Sequence, residues 1–107
     1  VCEELQVPPQ LVPRHRPPHF GHIFSGDGYA AAYYSYIWAE VLEADVFAAF
    51  KEAGDAYDTK TAERLRATIM AVGNTVAPAV AFRNFRGRDP DANALLTSKG
   101  FTATSGA

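Results

Sequence analysis

Five of the seven prolines lie within the first 20 residues, at Pro8, Pro9, Pro13, Pro17 and Pro18, and the next is Pro78. This uneven placement constrains the fold more than any other feature of the 107-residue chain. A proline inside a helix removes a hydrogen bond and collides with the preceding turn. Residues 1–20 are therefore expected as an extended, turn-rich arm, with at most a short helix near Gln10–Arg14. Residues 21–28, with Gly21, Gly26 and Gly28, read as a glycine-rich loop. From Tyr29 the stretch "YAAAYYSYIWAEVLEADVFAAFKEAG" holds no proline and no glycine before Gly54. Alanine is the strongest helix former. One long helix is expected over Tyr29–Glu52, with Gly54 near its C-terminal cap.

Capping signals place three shorter helices after it. Asp58 or Thr59 can cap a helix over Thr59–Val72 that Gly73 ends. Pro78 can open a third helix to Arg86, with Gly87 after it. Asp89-Pro90 reads as a cap and first-turn proline for a fourth, reaching Ser98 and stopped by Gly100. No repeat and no strand pattern is visible. The expected class is all-α: a Pro-rich arm (1–20), a Gly-rich loop (21–28), a helical part (29–101) and a loose tail (102–107).

Composition excludes several functions. Apolar residues make up 48% and charged residues 21%. Both are ordinary values for one globular domain. A net charge of -2 gives no basic footprint for nucleic acid. No apolar run reaches the roughly 18 residues of a membrane span. The first residues, "VCEELQVPPQ", do not read as a signal peptide. Cys2 is the single cysteine, so no disulfide forms within the chain. A reducing, cytoplasmic compartment is expected, with the periplasm as the alternative.

The long helix is unusual. From Tyr29 to Ala39 its one small polar residue is Ser35, and apolar or aromatic side chains occupy every face. A surface helix shows one apolar stripe. A helix apolar all round is expected in the middle of a larger body, so the chain reads as part of a longer protein or as an obligate oligomer.

His15, His19 and His22 are spaced like metal ligands, but Pro17 and Pro18 forbid the helix that would put a His-x3-His pair on one face. His15 and His19 read as polar loop residues, and no metal site is expected within the chain. Tyr29, Tyr33 and Tyr36 share one helical face at i, i+4 and i+7. Tyr34 and Trp38 share a second. Aromatic stripes usually form core, and Tyr33, Tyr34 and Trp38 are read so. Tyr29 and Tyr36 differ because a glycine-rich loop precedes them. Such a loop can move and can approach a ligand closely. A phenol there can donate a hydrogen bond to an oxyanion. Ser25 lacks a nucleophile-elbow context, and Gly26-Asp27-Gly28 lacks the Lys-Ser/Thr of a phosphate loop. Glu40, Glu43 and Asp45 read as a solvated or ion-paired face. Arg83, Arg86 and Arg88 read as partners for acids on neighbouring helices.

The segment "GHIFSGDGYAAAYYSYIWAEVLEADVFAAF", with its histidine, glycines and Tyr-x3-Tyr-Tyr-x-Tyr order, resembles the C-terminal region of a zinc peptidase family. That family includes thimet oligopeptidase, oligopeptidase A and bacterial peptidyl-dipeptidase, the last branch looking most similar. The resemblance extends from "VPPQLVPRHRPPHF" to "FRGRDPDANALLTSKGF". It implies one wall of a channel that holds short peptides against a zinc ion. It implies that His22 binds the substrate backbone, that Tyr29 positions the peptide beside Gly26 and Gly28, and that Tyr36 stabilises the oxyanion. The family's His-Glu-x-x-His helix is not in these residues and is expected upstream of Val1. "NTVAPAVAF" also stands where relatives carry a Gly-x-Ser-Arg-Asp-Pro-like stretch. The resemblance thus implies a substrate-binding part of a zinc-dependent peptidase that binds no zinc and hydrolyses no peptide alone. Its partner would be the missing zinc-binding part or a second copy. The alternative is a non-enzymatic helical remnant that self-associates or binds peptides.

Overall fold

Glycine and proline set several of the helix boundaries. The computed structural model describes residues 1–101, and the expected loose tail at 102–107 lies outside them. The helices are α1 (Gly21–Phe24), α2 (Ser35–Ala53), α3 (Thr59–Leu65), α4 (Pro78–Arg86) and α5 (Asn93–Ser98). Among the described residues there is no strand, so the chain is all-α as the sequence predicts. It divides into two units, Val1–Ser35 and the residues from Tyr36 onward.

The first unit is built of turns. Its prolines allow bonds such as Leu5 N–H to the Val1 carbonyl (2.9 Å) and a single 3₁₀ turn at Pro17–His19. The glycine-rich segment opens with one α-helical turn, α1, where a loop was expected. Residues 29–34 also depart from expectation. They form turns rather than the start of the long helix, with bonds from Ala32 N–H to Tyr29 O (3.3 Å) and Ser35 N–H to Ala32 O (3.0 Å). Alanine propensity favours helix there, but ring packing prevails. Tyr33 sets its edge against Phe20 with centroids 4.7 Å apart, and Tyr29 and Tyr33 meet at 5.9 Å. The helical face expected for Tyr29, Tyr33 and Tyr36 therefore does not form, because α2 starts at Ser35.

In the second unit α2 buries Val41, Asp45 and Ala49. They form a stripe at i, i+4 and i+8. Gly54 closes the helix in the left-handed region, at φ 84°, where glycine carries no steric penalty. The expected cap of α3 is in place. The Asp58 carboxylate accepts from Thr61 N–H at 2.7 Å. Beyond Leu65 the expected α-helix widens into a π-helical turn over Arg66–Met70, with Ala71 N–H reaching the Arg66 carbonyl at 2.8 Å. Pro78 opens α4 as expected. Gly87 ends it at φ 75°. The apolar core is Val41, Ala49, Ala81, Phe82 and Phe85, with α4 packed against the π turn.

Helix α5 begins at Asn93, later than the expected Asp89-Pro90 start. Asp89 is drawn to Arg83, and Asp91 instead accepts from Asn93 N–H at 2.9 Å. The helix ends in a Schellman arrangement. There Phe101 N–H bonds the Leu96 carbonyl at 2.8 Å and Gly100 sits at φ 80°.

Candidate functional site

His22 lies within the single turn of α1, and the chain returns over Ser25–Gly28 to bring Tyr29 back to it. The two rings lie 5.9 Å apart at 53°. Tyr33 stands edge-on to His22 at 5.6 Å, and Phe20 stacks on His15 at 5.4 Å. The turn is held by the Ser25 hydroxyl, which donates to the Gly21 carbonyl at 2.6 Å. Gly21, His22, Ser25, Gly26, Gly28 and Tyr29 line an open cavity of about 460 Å³.

Gly26 and Gly28 are informative because nothing among the described residues demands them. Neither has a positive φ, and a Cβ at either position would meet no atom within 4 Å. Local geometry and packing here would accept alanine. Tyr29 is 36% exposed and Tyr33 37% exposed, so each keeps part of its ring at the surface.

The structure thus brings together His22, Tyr29, Gly26 and Gly28. Tyr36 belongs to the second unit, on the first turn of α2, where it is exposed. Three expectations of core are corrected. Tyr34 is 69% exposed and Trp38 52% exposed, because both stand on backbone faces that no described helix covers. Tyr33 joins the histidine cluster and is not a core residue. Among the described residues, no three His, Cys, Asp or Glu side chains are placed to hold one metal ion. These residues do not fit a zinc ligand set. No described helix is long and apolar enough to cross a membrane.

A second polar centre lies in the second unit, its ion pairing expected from the sequence and its burial not. Asp45, expected on a solvated or ion-paired face, is wholly buried. Its carboxylate accepts from Arg88 Nη1 and Nη2, both at 2.7 Å, from Arg86 Nε at 3.0 Å and from Asp91 N–H at 2.8 Å. Arg86 also grips Glu52 with two bonds of 2.7 and 2.8 Å. Burial alone would raise the Asp45 pKa. The Arg88 and Asp91 hydrogen bonds, with the charges of both arginines, outweigh it and hold the carboxyl below its ordinary value. The expected pairing across helices thus holds for Arg86 and Arg88. Arg83 pairs instead with Asp89, just beyond its own helix. Glu40 pairs with Lys99 at 3.1 Å.

Comparison with known proteins covers the same described residues. The sequence model of peptidase family M3 matches residues 1–101. The chain belongs to this family. It is 50% identical over 108 residues to a probable cytosolic oligopeptidase A of Arabidopsis thaliana, covering 98% of this chain and 15% of that protein. It is 45% identical over 84 residues to oligopeptidase A of Escherichia coli, covering 78% of this chain and 12% of the relative. Against the dipeptidyl carboxypeptidase of E. coli, identity is 35% over 100 residues, covering 94% and 14%. Identity to these oligopeptidase A relatives exceeds that to the dipeptidyl carboxypeptidase, whereas the sequence reading expected the peptidyl-dipeptidase branch to be the more similar. The chain thus spans about one-seventh of the curated relatives' length. No solved structure matches it.

Proposed function

We propose that the chain is the peptide-holding part of a zinc-dependent oligopeptidase of family M3. The observation that carries this is the pairing of His22 and Tyr29 at 5.9 Å beside two glycines that the chain's own packing does not require. A glycine that neither strain nor crowding explains leaves room for another backbone to approach. In this reading a short peptide lies along Gly26 and Gly28. The His22 imidazole hydrogen-bonds a peptide group, and Tyr29 fixes the peptide's register. Tyr36, from the start of α2, donates its phenol O–H to the oxyanion that forms when the scissile carbonyl is attacked. The group that activates the attacking water lies outside the described residues. The chain alone then binds peptide without hydrolysing it.

Titration of the isotope-labelled chain with an N-acetylated, C-amidated hexapeptide tests the reading by NMR. Shifts at Gly26, Gly28, His22 and Tyr29 are expected, and His22→Phe weakens binding at least tenfold. Shifts confined to residues beyond 36, or binding indifferent to His22→Phe, would refute it. A chain that binds no peptide but dimerises would favour the helical remnant.

A further inference from the structure

We infer that Asp27-Gly28 is a self-modification site, where the backbone rearranges through a cyclic imide and becomes one methylene longer between His22 and Tyr29. Asp27 is the one aspartate followed by glycine, and none of the asparagines, Asn74, Asn84 and Asn93, precedes one. A side-chain carboxyl is attacked by the next residue's amide nitrogen where that nitrogen is uncrowded and its backbone rotates freely. Glycine, with no Cβ, supplies both.

The structure adds a second distinction. Each of the other five aspartates has its carboxylate engaged. Asp45 holds Arg86 and Arg88, and Asp89 holds Arg83. Asp55, Asp58 and Asp91 accept from the backbone N–H groups of Tyr57, Thr61 and Asn93 at 2.9, 2.7 and 2.9 Å. A carboxylate so engaged must give up those bonds before it can act as an electrophile. Asp27 is exposed, and among the described residues its carboxylate makes no hydrogen bond or ion pair. Among the same residues the Gly28 N–H donates no hydrogen bond, so the nucleophile has none to break. A Cβ at Gly28 would meet no atom within 4 Å, which leaves open space for the five-membered ring.

In the reaction the Gly28 nitrogen attacks Cγ of the protonated Asp27 carboxyl. The N–Cγ bond forms, the Cγ–OH bond breaks, and one water leaves carrying the amide proton. Water then adds to either imide carbonyl. Opening at Cγ restores aspartate. Opening at the original backbone carbonyl leaves isoaspartate, with the main chain routed through Cβ and Cγ and a free α-carboxylate. One water leaves and one returns, so no oxidant or reductant takes part. The turn that brings the His22 and Tyr29 rings to 5.9 Å runs over this bond, and the added methylene should part them.

The test is warm incubation of the full chain at mildly acidic pH, followed by proteolytic mapping with electron-transfer fragmentation. Isoaspartate is expected at residue 27 and at none of the other five aspartates. Asp27→Glu, which needs a larger and slower-forming ring, should abolish it. Gly28→Ala should slow it about tenfold, because the new Cβ crowds the nitrogen and restricts its backbone. In the separated isoaspartyl form the His22 and Tyr29 ring resonances should shift, while those of Phe85 in the second unit stay in place. Isomerisation absent at Asp27, equally fast at Asp55, or indifferent to Gly28→Ala would overturn the inference, as would unmoved His22 and Tyr29 signals. One consequence rests on the peptide-holding reading: the isoaspartyl form should bind the hexapeptide several-fold more weakly. A fresh chain that binds no hexapeptide would refute that reading alone, because mapping the modified bond needs no ligand.

Discussion

The two units hold themselves together by different means. No residue of Val1–Ser35 is buried, and its shape rests on turns and on rings meeting edge to face. The second unit sinks a carboxylate completely and ties it to two arginines of a distant turn. Aromatic pairs contribute about 0.5–1.5 kcal/mol each beyond area burial. A buried charge deprived of its partners costs several times that. The difference separates a unit whose geometry is over-determined by buried charges from one whose rings stay partly at the surface.

The largest test of this contrast is Asp45→Ala. It takes from Arg86 and Arg88 the buried carboxylate that both bond. The loss should cost about 3–5 kcal/mol. Urea unfolding followed by far-ultraviolet circular dichroism should show the lost helix stability. NMR shifts of His22 and Tyr29 should hardly move. If Asp45→Ala proves neutral, the ion cluster is not what fixes the second unit. Phe85, 2% exposed and under the Arg64 guanidinium at 5.2 Å, gives the next effect. Phe85→Ala should cost about 3 kcal/mol through the cavity it leaves, read from the same unfolding curves.

Acid sharpens the comparison. The Asp45 pKa lies below its ordinary value despite burial, and the Arg86 hydrogen bonds depress that of Glu52. A carboxyl whose folded pKa is depressed contributes stability above its unfolded pKa and loses it as pH falls through the folded one. Helical stability should therefore hold above about pH 5 and decline as the pH drops through and below about 4. A Glu52→Gln variant should decline less over that window. An unchanged pH profile in this variant would mean that Glu52 contributes nothing to acid sensitivity.

Smaller effects test the surface side. Gly87→Ala forces a side chain into the left-handed region, at φ 75°. The substitution should cost about 1 kcal/mol. Tyr33→Ala removes edge contacts to Phe20, His22 and Tyr29. Global stability should change by under about 1 kcal/mol. The variant should nonetheless loosen the glycine-rich turn, seen as faster amide exchange at Gly26 and Gly28. A large global loss from Tyr33→Ala would erase the distinction between the units.

Much of this was legible in the residues. Pro78 and Gly87 bracket α4, and Asp58 caps α3, because those signals act within a few bonds of their own backbone. The family resemblance likewise rests on a contiguous motif. The start of α2 was misread because three alanines favour helix locally while Phe20 and His22 hold Tyr33 from outside that window. The burial of Asp45, though not its ion pairing, was missed for a like reason: its partners lie 41 to 46 residues away.

The sequence by itself determined that the chain is helical, where most helices stop, and which family it belongs to. Only the tertiary structure decided that Asp45 is buried, that Tyr33 turns to His22, and that Trp38, Leu42 and Val46 face an open groove. Caps and breakers act on neighbouring backbone, whereas burial depends on what the rest of the chain brings to each face.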